Sequence, residues 1–181
     1  MSTHKIGIVV SSSRPTRIGH KVAEWIGSLA PEGTEVDIID LREVDLPFLA
    51  EPEQPAAGNY TMASTTRWSE QVRGYDALIL TVPEYNAGYP AVLQNAIDTP
   101  HAASHRLPIP TVGYGWGAAA GATRQLGEVL DRVQAVNLPG PGLSFGQDLT
   151  PEGEIQDSAP ADDVRGLYDQ VLAAVREKVP A

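Results

Sequence analysis

Apolar positions along the chain switch between a strand-like and a helix-like period, and the switches come in regular order. Ile6 to Val10 is a short apolar run, and with Lys5 it reads as a first strand, Lys5 to Val10. Ile18 to Leu29 carries its apolar residues on one helical face and stops near Pro31 and Gly33. Glu35 to Asp40 alternates polar and apolar, the pattern of a second strand toward a sheet edge. Residues 41 to 60 are rich in Pro, Glu and Ala and read as irregular. A helix is expected from Ala63 to Arg73. Ala77 to Val82 is almost continuously apolar, as a strand buried on both faces must be, and Pro83 stops it. A helix from Ala91 to Ile97 and a fourth strand from Thr111 to Tyr114 follow, the latter bounded by Pro108 and Pro110. Next come a helix from Ala118 to Gln134 and a fifth strand, Ala135 to Leu138, extended by Leu143 to Phe145. Gly146 to Pro160 reads as an acidic surface loop. A last helix runs from Ala161 to Val179, with Asp162 and Asp163 in its first turn and Arg176 and Lys178 in its last, matching the macrodipole.

Five strands alternating with helices imply an α/β fold, a doubly wound parallel sheet with helices on both faces. The 181 residues show no linker and no repeat, so residues 1–181 are expected to form one domain. In such sheets ligands bind beyond the carboxyl ends of the strands, where the strand order reverses. The loops after strands one, three and four are therefore expected to converge.

Loop one, Ser11 to Gly19, combines hydroxyls with Arg14 and Arg17 ahead of a helix start. Free N–H groups of a first helical turn, serine hydroxyls and a forked guanidinium together make a phosphate cradle. The bland alternative is that Arg14 and Arg17 only pair with nearby carboxylates. The loop lacks the Gly-Lys-Ser/Thr ending of a P-loop and the Gly-x-Gly-x-x-Gly of a dinucleotide site. A terminal monophosphate such as that of FMN suits it better than a pyrophosphate. Loop two, Pro83 to Pro90, holds Glu84, Tyr85 and Asn86 and can border a flat heterocycle. Loop three, Gly113 to Gly121, lets a ligand approach the backbone closely at Gly115 and Gly117, and the helix after it offers further N–H groups.

Net charge is −10, which disfavours nucleic acid and anionic membranes as partners. It also singles out the two loop-one arginines. The chain has no cysteine, which fits a reducing cytoplasm, and no apolar run of membrane-spanning length. Gly142-x-Ser144-x-Gly146 imitates a hydrolase elbow, but proline rather than a helix follows and no histidine lies beyond His105. His101 and His105 have metal-pair spacing without a third ligand, so no metal is expected.

Ser12-x-Arg14, Arg17 and Gly19, then Pro83-Glu84-Tyr85-Asn86, Pro90, Leu93 and Asn95-Ala96-Ile97-Asp98, resemble the NADPH-dependent FMN reductases. These are flavodoxin-like flavoproteins that include quinone, azo-dye and chromate reductases. The likeness covers residues 5 to about 145. It implies a three-layer sandwich with strand order 2-1-3-4-5 and bound FMN. By it, Ser12, Arg14 and Arg17 hold the phosphate beside Gly19. Pro83, Glu84, Tyr85 and Asn86 lie along the ring, while Gly115 and Gly117 pass under its pyrimidine end or the ribityl chain. The helix from Pro90 to Asp98 helps form a homodimer or dimer of dimers. Ser11 stands where the family usually has Gly, Gln94 where Lys is common, and Trp116 where small residues are typical.

The implied chemistry is ping-pong. NADPH or NADH gives a hydride to the flavin, and a small flat acceptor such as a flavin or quinone takes it from the same place. No side chain is needed as acid or base. The alternative reading is a flavodoxin-like electron carrier with no substrate of its own.

Overall fold

The computed structural model describes residues 4–178, and in them all five strands form one parallel sheet in the order β2-β1-β3-β4-β5. The strands are β1 His4–Val10, β2 Thr34–Asp40, β3 Ala77–Pro83, β4 Pro108–Gly115 and β5 Val136–Ser144. The helices are α1 Gly19–Ser28, α2 Leu41–Val44, α3 Ala63–Arg73, α4 Ala91–Asp98, α5 His101–Ser104, α6 Ala120–Arg132 and α7 Ala161–Lys178. This is the flavodoxin-like order that the resemblance implies. Val179, the expected end of the last helix, lies outside the described residues.

The two-residue period of the strands sorts side chains onto two faces. Ile6, Ile8 and Val10 of β1 with Ile79 of β3 pack against Val22 and Ile26 of α1 and Leu167 and Val171 of α7. Val9, Leu78, Leu80 and Val82 turn to the other face and meet Trp68 of α3, Leu93 of α4 and Leu126 of α6. β3 is buried at every position, as its unbroken apolar run requires. The chain leaves β1 in one direction and β3 in the other, so the reversal of strand order falls between them, and a cleft is expected there.

Most boundaries fall within one or two residues of the sequence expectation, and the following differences bear on the fold. β4 starts at Pro108 rather than Thr111 because pairing with β3 begins only at Thr111, so the missing N–H groups of Pro108 and Pro110 break no ladder. β5 runs unbroken through Pro139 and Pro141, which an edge strand tolerates, with a register shift opposite Thr111 and Gly113. α6 starts at Ala120, two residues late. Finally, the 146–160 stretch is not merely a surface loop: Leu149 is fully buried, and the Asp148 carboxylate accepts the Ser144 N–H at 2.7 Å. Within residues 41 to 60 the chain forms α2 and one 3-10 turn, Pro55–Ala57. Asn95 of α4 ties this segment down, accepting from Leu49 N–H at 2.9 Å and donating to the Pro47 carbonyl at 3.0 Å. No helix among the described residues is long and apolar enough to cross a membrane.

Candidate functional site

The carboxyl ends of β1, β3 and β4 open into a cleft of about 830 Å³. Loop one contributes Ser12, Arg14, Thr16, Arg17 and Ile18, loop two Pro83 to Ala87, and loop three Gly115 and Trp116. Tyr114, Lys21 and Phe145 complete the wall with Pro151 and Glu152. Of these five, only Tyr114 falls in a segment the sequence reading places at the cleft. Gly19 and Gly117 stand outside the lining.

Loop one is built on a reciprocal stitch. The Ser11 hydroxyl donates to the Thr81 carbonyl at 2.6 Å, and the Thr81 hydroxyl donates to the Val9 carbonyl at 2.9 Å. Ser11 therefore joins β1 to β3 and does not face a ligand. Ser12 is 2% exposed, and its hydroxyl shares a hydrogen bond with the Tyr85 phenol. Ile18 occupies the N-cap position of α1 and cannot cap it, so the first-turn N–H groups have no side-chain partner. A Cβ on Gly19 would stand 2.8 Å from the Tyr114 hydroxyl oxygen, so glycine lets α1 begin directly against that ring.

The two arginines differ. Arg17 is tied to Asp40 at the end of β2, through Nε at 3.1 Å and a closer contact from Nη2. Arg14 is exposed and has no carboxylate partner among the described residues. The bland reading of the arginines thus describes Arg17 and not Arg14. Burial pushes the Tyr114 phenol up, with Tyr85 adding to the shift, so this ring stays a neutral hydroxyl.

Loop two is a two-residue hairpin. Tyr85 and Gly88 exchange backbone hydrogen bonds of 2.8 and 3.0 Å, and Asn86 and Ala87 between them have φ of 52° and 64°. The Glu84 carboxylate accepts the Ala122 N–H at 3.0 Å, and the Gln125 amide donates to the Ala87 carbonyl at 2.8 Å. A Cβ on Gly121 would lie 2.9 Å from the Glu84 carboxylate, so a glycine is needed for this approach. Glu84 thereby caps α6, and the helix after loop three is not the open N–H site expected from the sequence.

Loop three is a left-handed turn. Gly115 has φ of 132°, and Gly117, Ala118 and Ala119 have φ of 65°, 56° and 56°. Left-handed backbone at two consecutive alanines is strained and needs support from its surroundings. That support is two missing side chains beneath it. A Cβ on Gly113 would come within 2.4 Å of the Ala118 carbonyl oxygen, and one on Gly142 within 2.5 Å of the Ala118 Cβ.

These residues fit FMN. One end of the cleft gathers an uncapped helix start, a buried hydroxyl and a guanidinium, the donor set for a terminal phosphate. The space over Gly115 is open, with Phe145 at 3.9 Å as the nearest atom to a Cβ there. The volume is in the range of small-molecule sites. Among the described residues no group of three or more His, Cys, Asp or Glu side chains comes together as metal ligands do.

The family model for NADPH-dependent FMN reductases matches residues 4–150. The chain is 30% identical over 158 residues to an NAD(P)H-dependent FMN reductase of Schizosaccharomyces pombe, covering 84% of this chain and 79% of the relative. It is 33% identical over 95 residues to a quinone reductase of Pseudomonas putida, about half of each protein (52% and 48%). The solved structure of FerB, a flavoenzyme NAD(P)H:(acceptor) oxidoreductase from Paracoccus denitrificans, shares the fold at a TM-score of 0.75 and 23% identity, covering 96% of this chain and 98% of that one. The family match runs from the start of β1 past the end of β5 and so takes in every strand and all three cleft loops. The chain therefore belongs to the NADPH-dependent FMN reductase family, as an oxidoreductase whose flavin is FMN and whose reductant is NAD(P)H.

Proposed function

We propose that this protein passes a hydride from NADPH to a flat two-electron acceptor, a free flavin or a quinone, across FMN held in the cleft. Reductant and acceptor use the same open side in turn. The observation that carries this reading is the phosphate end of the cleft. On a chain of net charge −10, an uncapped helix start lies beside an arginine with no carboxylate partner and a buried serine. Ser12 and Arg14 hold the phosphate, with the backbone N–H of Gly19 in the first turn of α1. Arg17 stiffens the loop through Asp40 and adds its positive field. Pro83, Tyr85 and Asn86 border the ring, and Gly115 lets it lie close to the backbone. Gly117 acts behind the wall by allowing the left-handed turn, and Glu84, in the wall, clamps loop two to α6.

The hydride chemistry belongs to FMN when it is bound. The protein's share is position, exclusion of water from one face, and N–H donors toward charge that grows on the ring edge. No side chain in the cleft is required as acid or base. The quinone class of acceptor is supported by the likeness to the Pseudomonas quinone reductase. Two paired copies in the cytoplasm belong to the same reading. The pairing is supported by Phe48 and Leu49, which are 80% and 39% exposed on the segment that Asn95 ties to α4.

Stopped-flow absorbance tests the reading. NADPH mixed anaerobically with the FMN-loaded protein should bleach the flavin within seconds, and menadione should then restore the colour. Bleaching that needs a second reductase protein would contradict it and favour an electron carrier.

A further inference from the structure

Trp116 is the most conspicuous residue that this function leaves unused. Its side chain is 74% exposed, although an indole gains more from burial than almost any other side chain. It is also not loose. Its ring meets Phe145 edge-on, with centroids 5.4 Å apart and planes at 81°, and both rings line the cleft. Its backbone lies between Gly115 and the left-handed residues 117–119, which Gly113 and Gly142 admit to the sheet surface. The fold thus spends strain, two strand glycines and an aromatic partner on presenting one indole face to solvent beside a ligand cleft. A large apolar face left in water at the wall of a ligand cleft is a surface on which a flat apolar ligand can stack.

We propose that Trp116 is a specificity-determining residue for the acceptor, a platform on which fused-ring quinones stack in preference to single-ring ones. The inference rests on the reductase reading above and adds the acceptor class. In that reading loop one holds the FMN phosphate and Trp116 belongs to loop three, so the indole can be removed without touching the phosphate site. The wet face of the indole can cover two fused rings but gains little from one.

The test is equilibrium binding with no reductant present. FMN-loaded wild type, W116A and W116F are titrated with menadione and with 1,4-benzoquinone, reading indole fluorescence in wild type and the flavin absorbance shift in all three. Expected are FMN affinities within twofold of wild type in both variants. Menadione should bind W116A about tenfold more weakly, within the range that loss of one aromatic stacking surface produces. W116F should keep most of that affinity, and benzoquinone should be almost indifferent. In turnover the menadione KM should rise in W116A while kcat changes little. Unchanged menadione affinity in W116A with FMN bound would overturn the inference and leave the reductase reading intact. So would an equal loss of FMN and menadione affinity, which would make Trp116 a flavin residue. A wild type that bound no FMN would remove both readings. The side chain is largely solvent-exposed, and a melting curve shared by the three proteins confirms that the comparison is between folded forms.

Discussion

The two ends of the sheet are built on opposite principles. At the amino end, Lys5 reaches Asp37 at 2.9 Å and Glu35 at 3.1 Å, and its ammonium lies 5.5 Å from the centre of the Tyr75 ring. Tyr75 donates to Asp37 at 3.0 Å, and the Lys5 N–H donates to Asp76 at 2.9 Å. Each of these charges has a partner. At the carboxyl end, α1 starts uncapped, Arg14 has no carboxylate, and an indole faces water. Among the described residues, consecutive left-handed non-glycine residues occur at two places, Asn86-Ala87 and Ala118-Ala119, and both lie at this end. The contrast separates stability from function within one sheet. One end satisfies its own groups, and the other holds groups and strain ready for a ligand.

The sharpest way to break the contrast is to fill the space under loop three. Gly113→Ala puts a methyl 2.4 Å from the Ala118 carbonyl oxygen. It should lower stability by about 2–3 kcal/mol, the upper range for overpacking, and weaken FMN binding as well, as denaturant melts and flavin titration would show. Arg14→Ala should separate the two properties. FMN affinity should fall by about 1.5–3 kcal/mol, the scale of a charged hydrogen bond, with no change in the melting temperature of the flavin-free protein. Affinity within error of wild type would remove Arg14 from the phosphate site. A smaller effect of opposite sign is expected at Ala87, whose φ of 64° favours glycine. Ala87→Gly should raise stability by about 0.5–1 kcal/mol in urea melts while loosening the flavin ring edge.

The smallest effect belongs to the amino end. Lys5→Met should lower the melting temperature slightly, less so in high salt, and leave FMN affinity untouched. The Lys5 hydrogen bond holds the Asp37 carboxyl below the usual carboxylate range, against the opposing effect of its burial. A depressed carboxyl stabilises the fold above its unfolded value and loses that contribution as pH falls through the folded one. Wild type and variant should therefore differ at neutral pH and converge in acid, below the ordinary carboxylate range. A difference that grows in acid would contradict the pairing.

The elements that carry the fold are legible from local period alone. β3 is a run of buried residues, and the alternation in β2 marks an edge strand. Loops one and two are legible because hydroxyls, arginines and the Pro-Glu-Tyr-Asn run are chemically conspicuous. What escapes is long-range geometry. Lys21, Pro151 and Glu152 meet at the cleft because the chain after β5 folds back over α1, with Lys21 Nζ 2.7 Å from the Glu152 carbonyl oxygen, and Phe145 stands at the start of that return. Nothing local announces that return. Glu84 looks like a ring contact until its partner, Ala122, is seen 38 residues away. The left-handed turn at Ala118 and Ala119 is invisible because alanine signals helix, and only Gly113 and Gly142, on two other strands, make the turn possible. Arg17 and Arg14 read alike in sequence, and Asp40, at the end of a different strand, tells them apart.

The proposed function depends most on a grip on phosphate by loop one and the start of α1. Titration of the flavin-free protein with FMN and with riboflavin, followed by flavin fluorescence, tests it directly, since the two ligands differ only in that group. FMN should bind at least about a hundredfold tighter, the range of two charge-assisted hydrogen bonds, with most of the difference lost in Arg14→Ala. Equal affinity for the two flavins would contradict it.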